Sequence, residues 1–120
     1  MESPTVDQIL QALAVVESSN NPDAWGDGGR ALGRWQVHPD RLWYEAHREG
    51  LQPSLGETWD SFVGRVLRAM IVRCIRAGHT AAQIAMYWHL GHYVESVDTD
   101  WDQRYAVRFT AALESAAGAA

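Results

Sequence analysis

The run Val16-Glu17-Ser18-Ser19-Asn20-Asn21-Pro22-Asp23-Ala24-Trp25-Gly26-Asp27-Gly28-Gly29-Arg30-Ala31-Leu32-Gly33-Arg34-Trp35-Gln36 carries the residue types most able to do chemistry. It sets one carboxylate at the end of an apolar helical stretch, then a glycine-rich loop that returns with aromatics and an amide. A carboxyl group held against an apolar helix end loses hydration, so its pKa is expected to rise toward the range of a general acid. The negative end of the helix dipole opposes a charge there as well. Glycines let the backbone turn tightly and approach a ligand. Trp25, Trp35 and Gln36 add flat apolar surface and hydrogen-bonding groups, a combination that suits a sugar ring. The residues point to glycan chemistry with Glu17 as the acid.

Other chemistries fit less well. Asp23, Asp27 and Asp40 are the carboxylates close enough in sequence to assist Glu17, and sequence alone fixes the position of none. His89 and His92 stand three apart, as two metal ligands on a helix would, but no third ligand of matching spacing accompanies them. Neither a metal nor a cofactor is expected. Ser18, Ser19 and the histidines form no nucleophile–base pattern. Gly26, Gly28, Gly29 and Gly33 match neither a P-loop nor a dinucleotide fingerprint. Of the six tryptophans, Trp59 belongs to an apolar helical stripe and Trp43 is grouped with it. Trp25, Trp35 and Trp88 stand beside glycines or loops, where a ligand-facing edge competes with a core plug whose indole N–H finds a partner.

The elements that must position these groups read as helices. Ser3 and Pro4 can open a first helix, with Val6, Ile9, Leu10, Leu13 and Val16 at helical spacing and Asn20-Asn21-Pro22 as the stop. Residues 18–38 read as loop, with a short hairpin around Gly28-Gly29. A second helix is expected over Pro39–Glu49, closed by Gly50. The longest, about Thr58 to Ala77, carries the stripe Trp59, Phe62, Val63, Val66, Leu67, Met70, Ile71, Cys74 and Ile75, and Gly78 ends it. Thr80 caps a short helix through Trp88, ended by Gly91. After a loop from His92, Asp100 or Asp102 opens a last helix with Tyr105, Val107, Phe109 and Leu113, and residues 116–120 fray. No strand-period segment of convincing length is present, so the predicted class is all-α.

Composition agrees with one folded unit over 1–120. At 120 residues and 47% hydrophobic content, the chain can bury about two thirds of its unfolded surface. A net charge of -5 argues against nucleic acid as a partner and gives no long-range pull toward an anionic wall or membrane. All ten basic residues are arginine. Cys74 is the sole cysteine, so no disulfide forms within the chain, and its place on the stripe predicts a small buried side chain. The start Met1-Glu2-Ser3-Pro4 lacks the character of a secretory leader, and no apolar run approaches the ~20 residues of a membrane span.

The segment resembles the soluble lytic transglycosylases and goose-type lysozymes, which cleave the MurNAc–GlcNAc backbone of peptidoglycan on a lysozyme-like α-helical fold. Their signature is a Glu-Ser pair, then Asn-Pro-x-Ala, Gly-x-x-Gly and Gln. Here it reads Glu17-Ser18, Asn21-Pro22-Asp23-Ala24, Arg30-Ala31-Leu32-Gly33 and Gln36, with one extra residue in the loop and Arg30 in place of the first glycine of Gly-x-x-Gly. Ile84-Ala85-Met86-Tyr87-Trp88-His89-Leu90-Gly91 is similar to the family's later aromatic-Asn-x-Gly element, with His89 replacing Asn. Tyr105 in Arg104-Tyr105-Ala106-Val107 is similar to a tyrosine on its closing helix.

The resemblance implies that Glu17 protonates the glycosidic oxygen as an oxocarbenium-like state develops on MurNAc. In a transglycosylase the same residue then draws the proton from the sugar's C6 hydroxyl, giving a 1,6-anhydro product, so one carboxylate suffices. A hydrolase would need a second, with Asp27, Asp23 and Asp40 as candidates. Gln36, His89 and Trp88, with Gly33 in the loop, would orient the sugar, and Ser18 or Tyr105 would hold the Glu17 carboxyl. The partner is then the peptidoglycan glycan strand, bound by a monomer. A phage virion or lysis protein fits the missing leader, and so does a domain excised from a larger protein. Two rival classes remain: a catalytically silent wall-binding or virion structural module on the same fold, and an unrelated helical domain gripping a protein partner.

Overall fold

Thr5, not Ser3, opens the first helix. Its hydroxyl accepts from the Gln8 N–H at 3.1 Å while the Gln8 side chain accepts from the Thr5 N–H at 2.9 Å. This reciprocal capping box outcompetes Ser3-Pro4, because it satisfies two backbone donors at once. In the computed structural model, which describes residues 3–90 and 100–118, helix α1 then runs Val6–Ser18. It ends before the Asn-Asn-Pro stop: Ser19 and Asn20 are both left-handed, with φ of 56° and 62°. Proline is thus two residues beyond the turn that breaks the helix.

The loop that follows contains the expected hairpin. Strands β1 (Trp25–Gly26) and β2 (Ala31–Leu32) pair antiparallel around a tight turn over Asp27–Gly29. Asp27, Gly28 and Gly29 all have positive φ, a path that two glycines make possible. Helix α2 occupies Pro39–Glu49, with Gly50 left-handed just past its end. Helix α3 occupies Trp59–Arg76, opened by the Thr58 hydroxyl accepting from Ser61. It closes at Gly78 with a Schellman pair, His79 N–H to Cys74 and Gly78 N–H to Ile75. Thr80 and Gln83 form a second capping box ahead of α4 (Ala81–Leu90). Helix α5 runs Asp100–Gly118, so the alanine-rich segment expected to fray remains helical through Gly118. The described residues are all-α apart from this two-stranded ribbon.

Helix α1 packs along α5 and against α3, α2 lies on α3, and α4 meets α5 and α3. The core is lined by Ile9, Leu13, Leu42, Leu67, Met70, Ile71, Ile84 and Phe109, and Cys74 is fully buried within it. The stripe of α3 is apolar beyond what the fold covers: Trp59 and Ile75, at its two ends, are 36% and 41% exposed. Trp43 is half-exposed, its ring tilted against Phe62, so it is an edge residue and not a core member. Val107, grouped with the apolar residues of α5, is also exposed. Trp35 and Trp88 are the reverse case. Both are buried, and Trp35 reaches α3 because Gly64 leaves room: a Cβ there would lie 3.3 Å from its ring. No described helix is long and apolar enough to cross a membrane.

Candidate active site

Glu17 lies in the last turn of α1, half-buried where α5 crosses it. From α5 the Tyr105 hydroxyl donates to Glu17 Oε2 at 2.6 Å. Burial pushes the Glu17 carboxyl above its ordinary range, while the Tyr105 hydrogen bond and the Arg108 charge pull it partly back. Desolvation wins, so the proton is retained longer than on a free glutamate. The Tyr105 phenol is pushed strongly upward by its own burial and by the neighbouring carboxyl, so it stays a donor. Glu57 shifts the opposite way, its carboxyl lowered by hydrogen bonds from Arg65 and Ser54.

A cleft of about 660 Å³ opens beside this pair, lined by Glu17, Asp27, Ala31, Gln36, Val37, His38, Arg41, Trp88 and His89. Four sequence-predicted site residues therefore share one wall system: Glu17, Gln36, Trp88 and His89. Gln36 is left-handed, φ 50°, and its amide Nε2 donates to Gly33 O at 2.8 Å. Its Oε1 lies 2.1 Å from where a Cβ on Gly26 would be and its Cδ 3.3 Å, so the amide oxygen points end-on at that glycine. Gly33, with φ 78°, makes the turn that lets Gln36 bond back. His89 stacks on Tyr105 with ring centroids 4.0 Å apart and planes 15° from parallel. Trp88 presents an edge to the cleft but donates its indole N–H to Trp35 O, and Trp35 donates to Leu10 O, so both tryptophans are also structural.

Ser18 makes no hydrogen bond to the Glu17 carboxyl. Its hydroxyl donates to Arg34 O at 2.7 Å and accepts from the Asn21 N–H at 3.0 Å. Arg34 in turn binds Asn20 Oδ1 at 2.9 Å and Asp60 Oδ1 at 2.8 Å. These bonds tie the end of α1, the loop and the start of α3 together, so Ser18 anchors the loop, and among the described residues it is Tyr105 that hydrogen-bonds Glu17. Trp25 is 77% exposed and crosses Gly29; its neighbour Gly26 faces Gln36, so on a strand Trp25 points the other way. Of the three aspartates, Asp27 lines the cleft, where its Oδ2 lies 3.0 Å from His38 Nε2, and Asp23 and Asp40 do not. His92 lies outside the described residues. Among those described, no group of three or more His, Cys, Asp or Glu could hold a metal ion.

Arg41, His38 and Arg108 escaped the sequence reading. Arg41 and His38 are one turn apart at the start of α2, and only the approach of α4 to that turn brings Arg41 into the cleft. The i,i+4 pair Arg41–Glu45 was the available signal, and it ordinarily marks a solvated helix face. Comparison with known proteins finds no match: no family model, no curated protein and no solved structure is similar to this chain.

Proposed function

We propose that the protein cleaves the MurNAc–GlcNAc backbone of peptidoglycan, as a lytic transglycosylase in preference to a hydrolase. The observation that carries this is the protonated-leaning Glu17, held by Tyr105 at 2.6 Å, at the edge of a cleft large enough for sugar rings. Glu17 gives its proton to the glycosidic oxygen, the bond to C1 of MurNAc breaks, and positive charge develops on the ring. The resulting carboxylate then takes the proton of the C6 hydroxyl as that oxygen closes onto C1, which regenerates the acid and leaves a 1,6-anhydro end. The Tyr105 hydrogen bond steadies the carboxylate between the two steps. Gln36, fixed by Gly33 and Gly26, offers an amide to the sugar, and Trp88 and His89 form the adjoining wall.

One observation favours hydrolysis as a second reading: Asp27 lines the same cleft and is tied to His38 at 3.0 Å, where it could activate water. Digestion of purified peptidoglycan by the parent and by Glu17→Gln, with products read by mass spectrometry, decides between them. Anhydro-ended muropeptides from the parent alone support the transglycosylase. Reducing ends, lost in Glu17→Gln and in Asp27→Asn, assign a muramidase. No products from the parent would reject cleavage and leave a silent glycan-binding or virion module.

A further inference from the structure

Arg41 is held on every side yet keeps donors to spare. Its Nη1 donates to Trp88 O at 3.2 Å and its Nη2 to Tyr87 O at 3.1 Å, two carbonyls in the last turn of α4. Its Nε reaches Glu45 Oε1 at 3.4 Å, and the guanidinium lies over the Trp88 and Tyr87 rings at 4.7 and 5.0 Å. Three of the five N–H groups of a guanidinium are thereby used, and the plane is fixed before any ligand arrives. The side chain is 24% exposed, and it lines the cleft that Glu17 borders.

Its charge is only loosely compensated. Glu45 is fully buried and takes its short bond, 2.6 Å, from the Tyr87 hydroxyl, while Arg41 and Arg73 share it at 3.4 and 3.5 Å. Arg73 is itself held at 2.6 Å by Glu49. His38, also on the cleft wall, has its Nε2 3.0 Å from Asp27 Oδ2. Arg41 therefore offers a pre-oriented, partly desolvated cation with free N–H edges to whatever occupies the cleft.

On a MurNAc–GlcNAc strand the rings and acetamido groups are neutral. The anions are carboxylates: that of the lactyl ether on MurNAc, free where the stem peptide has been removed, and those of the peptide where it remains. We infer that Arg41 is a carboxylate-binding subsite within the cleft and selects strands by the acid attached to MurNAc. This rests on the glycan reading above. A planar guanidinium pairing with a carboxylate is among the stronger polar contacts, and a neutral amide in its place cannot repay the desolvation of the arginine.

The test is binding to Glu17→Gln, which cannot consume the ligand, measured by titration calorimetry with three MurNAc–GlcNAc oligosaccharides. One carries free lactyl carboxylates, the second has them converted to methylamides, and the third bears stem peptides. The free acid is expected to bind at least about tenfold tighter than the methylamide, equivalent to about 1.4 kcal/mol. Adding Arg41→Lys, which keeps the charge but not the planar fork, should bring that ratio below about threefold. Tighter binding of the peptide-bearing strand than of the methylamide would assign the peptide carboxylates, and tighter binding of the free acid alone the lactyl group. Asp27→Asn, on the exposed rim, removes an opposing charge and should widen the preference for the acid. Equal affinity for all three oligosaccharides, or a carboxylate preference that survives Arg41→Lys in a protein with parental circular dichroism, would overturn the inference alone. No binding of any oligosaccharide would overturn the glycan reading and this subsite with it.

Discussion

At Glu17 three influences act on one proton, and their order decides what the group can do. Burial raises the pKa, and the Tyr105 bond and Arg108 lower it by less. In Tyr105→Phe the lowering bond is lost, so Glu17 should keep its proton to higher pH. The alkaline limb of the cleavage-rate profile is then expected to move upward, while the maximal rate falls about tenfold, the order of one hydrogen bond to a charged group. A limb that moves downward would contradict the lowering role given to the Tyr105 bond. The same shift has a sign in stability. A carboxyl raised on folding stabilises fully below its unfolded value, about 4.3, and that contribution is lost as pH rises through the folded value. Glu17→Gln should therefore unfold at higher denaturant concentration than the parent at pH 7, and at the same concentration near pH 3.

The loop between α1 and α2 is positioned by a handful of bonds that also shape the cleft. Ser18→Ala removes the bond to Arg34 O and is expected to cost about 1 kcal/mol in denaturant midpoint. Gly26→Ala tests a different property of the same element. Gly26 has an ordinary extended backbone, φ -139°, so alanine brings no strain, but its Cβ would occupy the place of Gln36 Oε1. Stability should change by less than about 1 kcal/mol while cleavage falls roughly tenfold, because the amide is displaced and not the fold. An unchanged rate would mean that Gln36 does not orient the sugar. These contacts were only half legible beforehand: glycines and Asn-Pro announced a loop, but not that Ser18 would bond to the backbone sixteen residues ahead.

Across the whole molecule, the buried Glu45 joins three helices through Arg41 on α2, Tyr87 on α4 and Arg73 on α3. Glu45→Ala leaves two arginines and a phenol facing an apolar gap, and a loss of about 3–5 kcal/mol is expected in equilibrium unfolding. A loss under about 1 kcal/mol would show that the network is incidental to the packing of α2 on α3. The burden on Glu45 was invisible in a helix whose sequence, Pro39–Glu49, reads as mostly polar surface.

Local sequence determined the helices, because capping residues, terminal glycines and apolar period act over a few neighbours: Pro39–Glu49 and the Gly78 end of α3 follow from it directly. It also singled out Glu17, since a carboxyl group at an apolar helix end is a local oddity. Tertiary structure decided which tryptophans are core. Periodicity names a face but not what the face meets, so Trp43 and Trp59 stayed at the surface and Trp35 was drawn in beside Gly64. It decided too that Tyr105, 88 residues away, and not the adjacent Ser18, holds the acid. A helix points successive side chains about 100° apart, so neighbours in sequence diverge while residues on crossing helices meet.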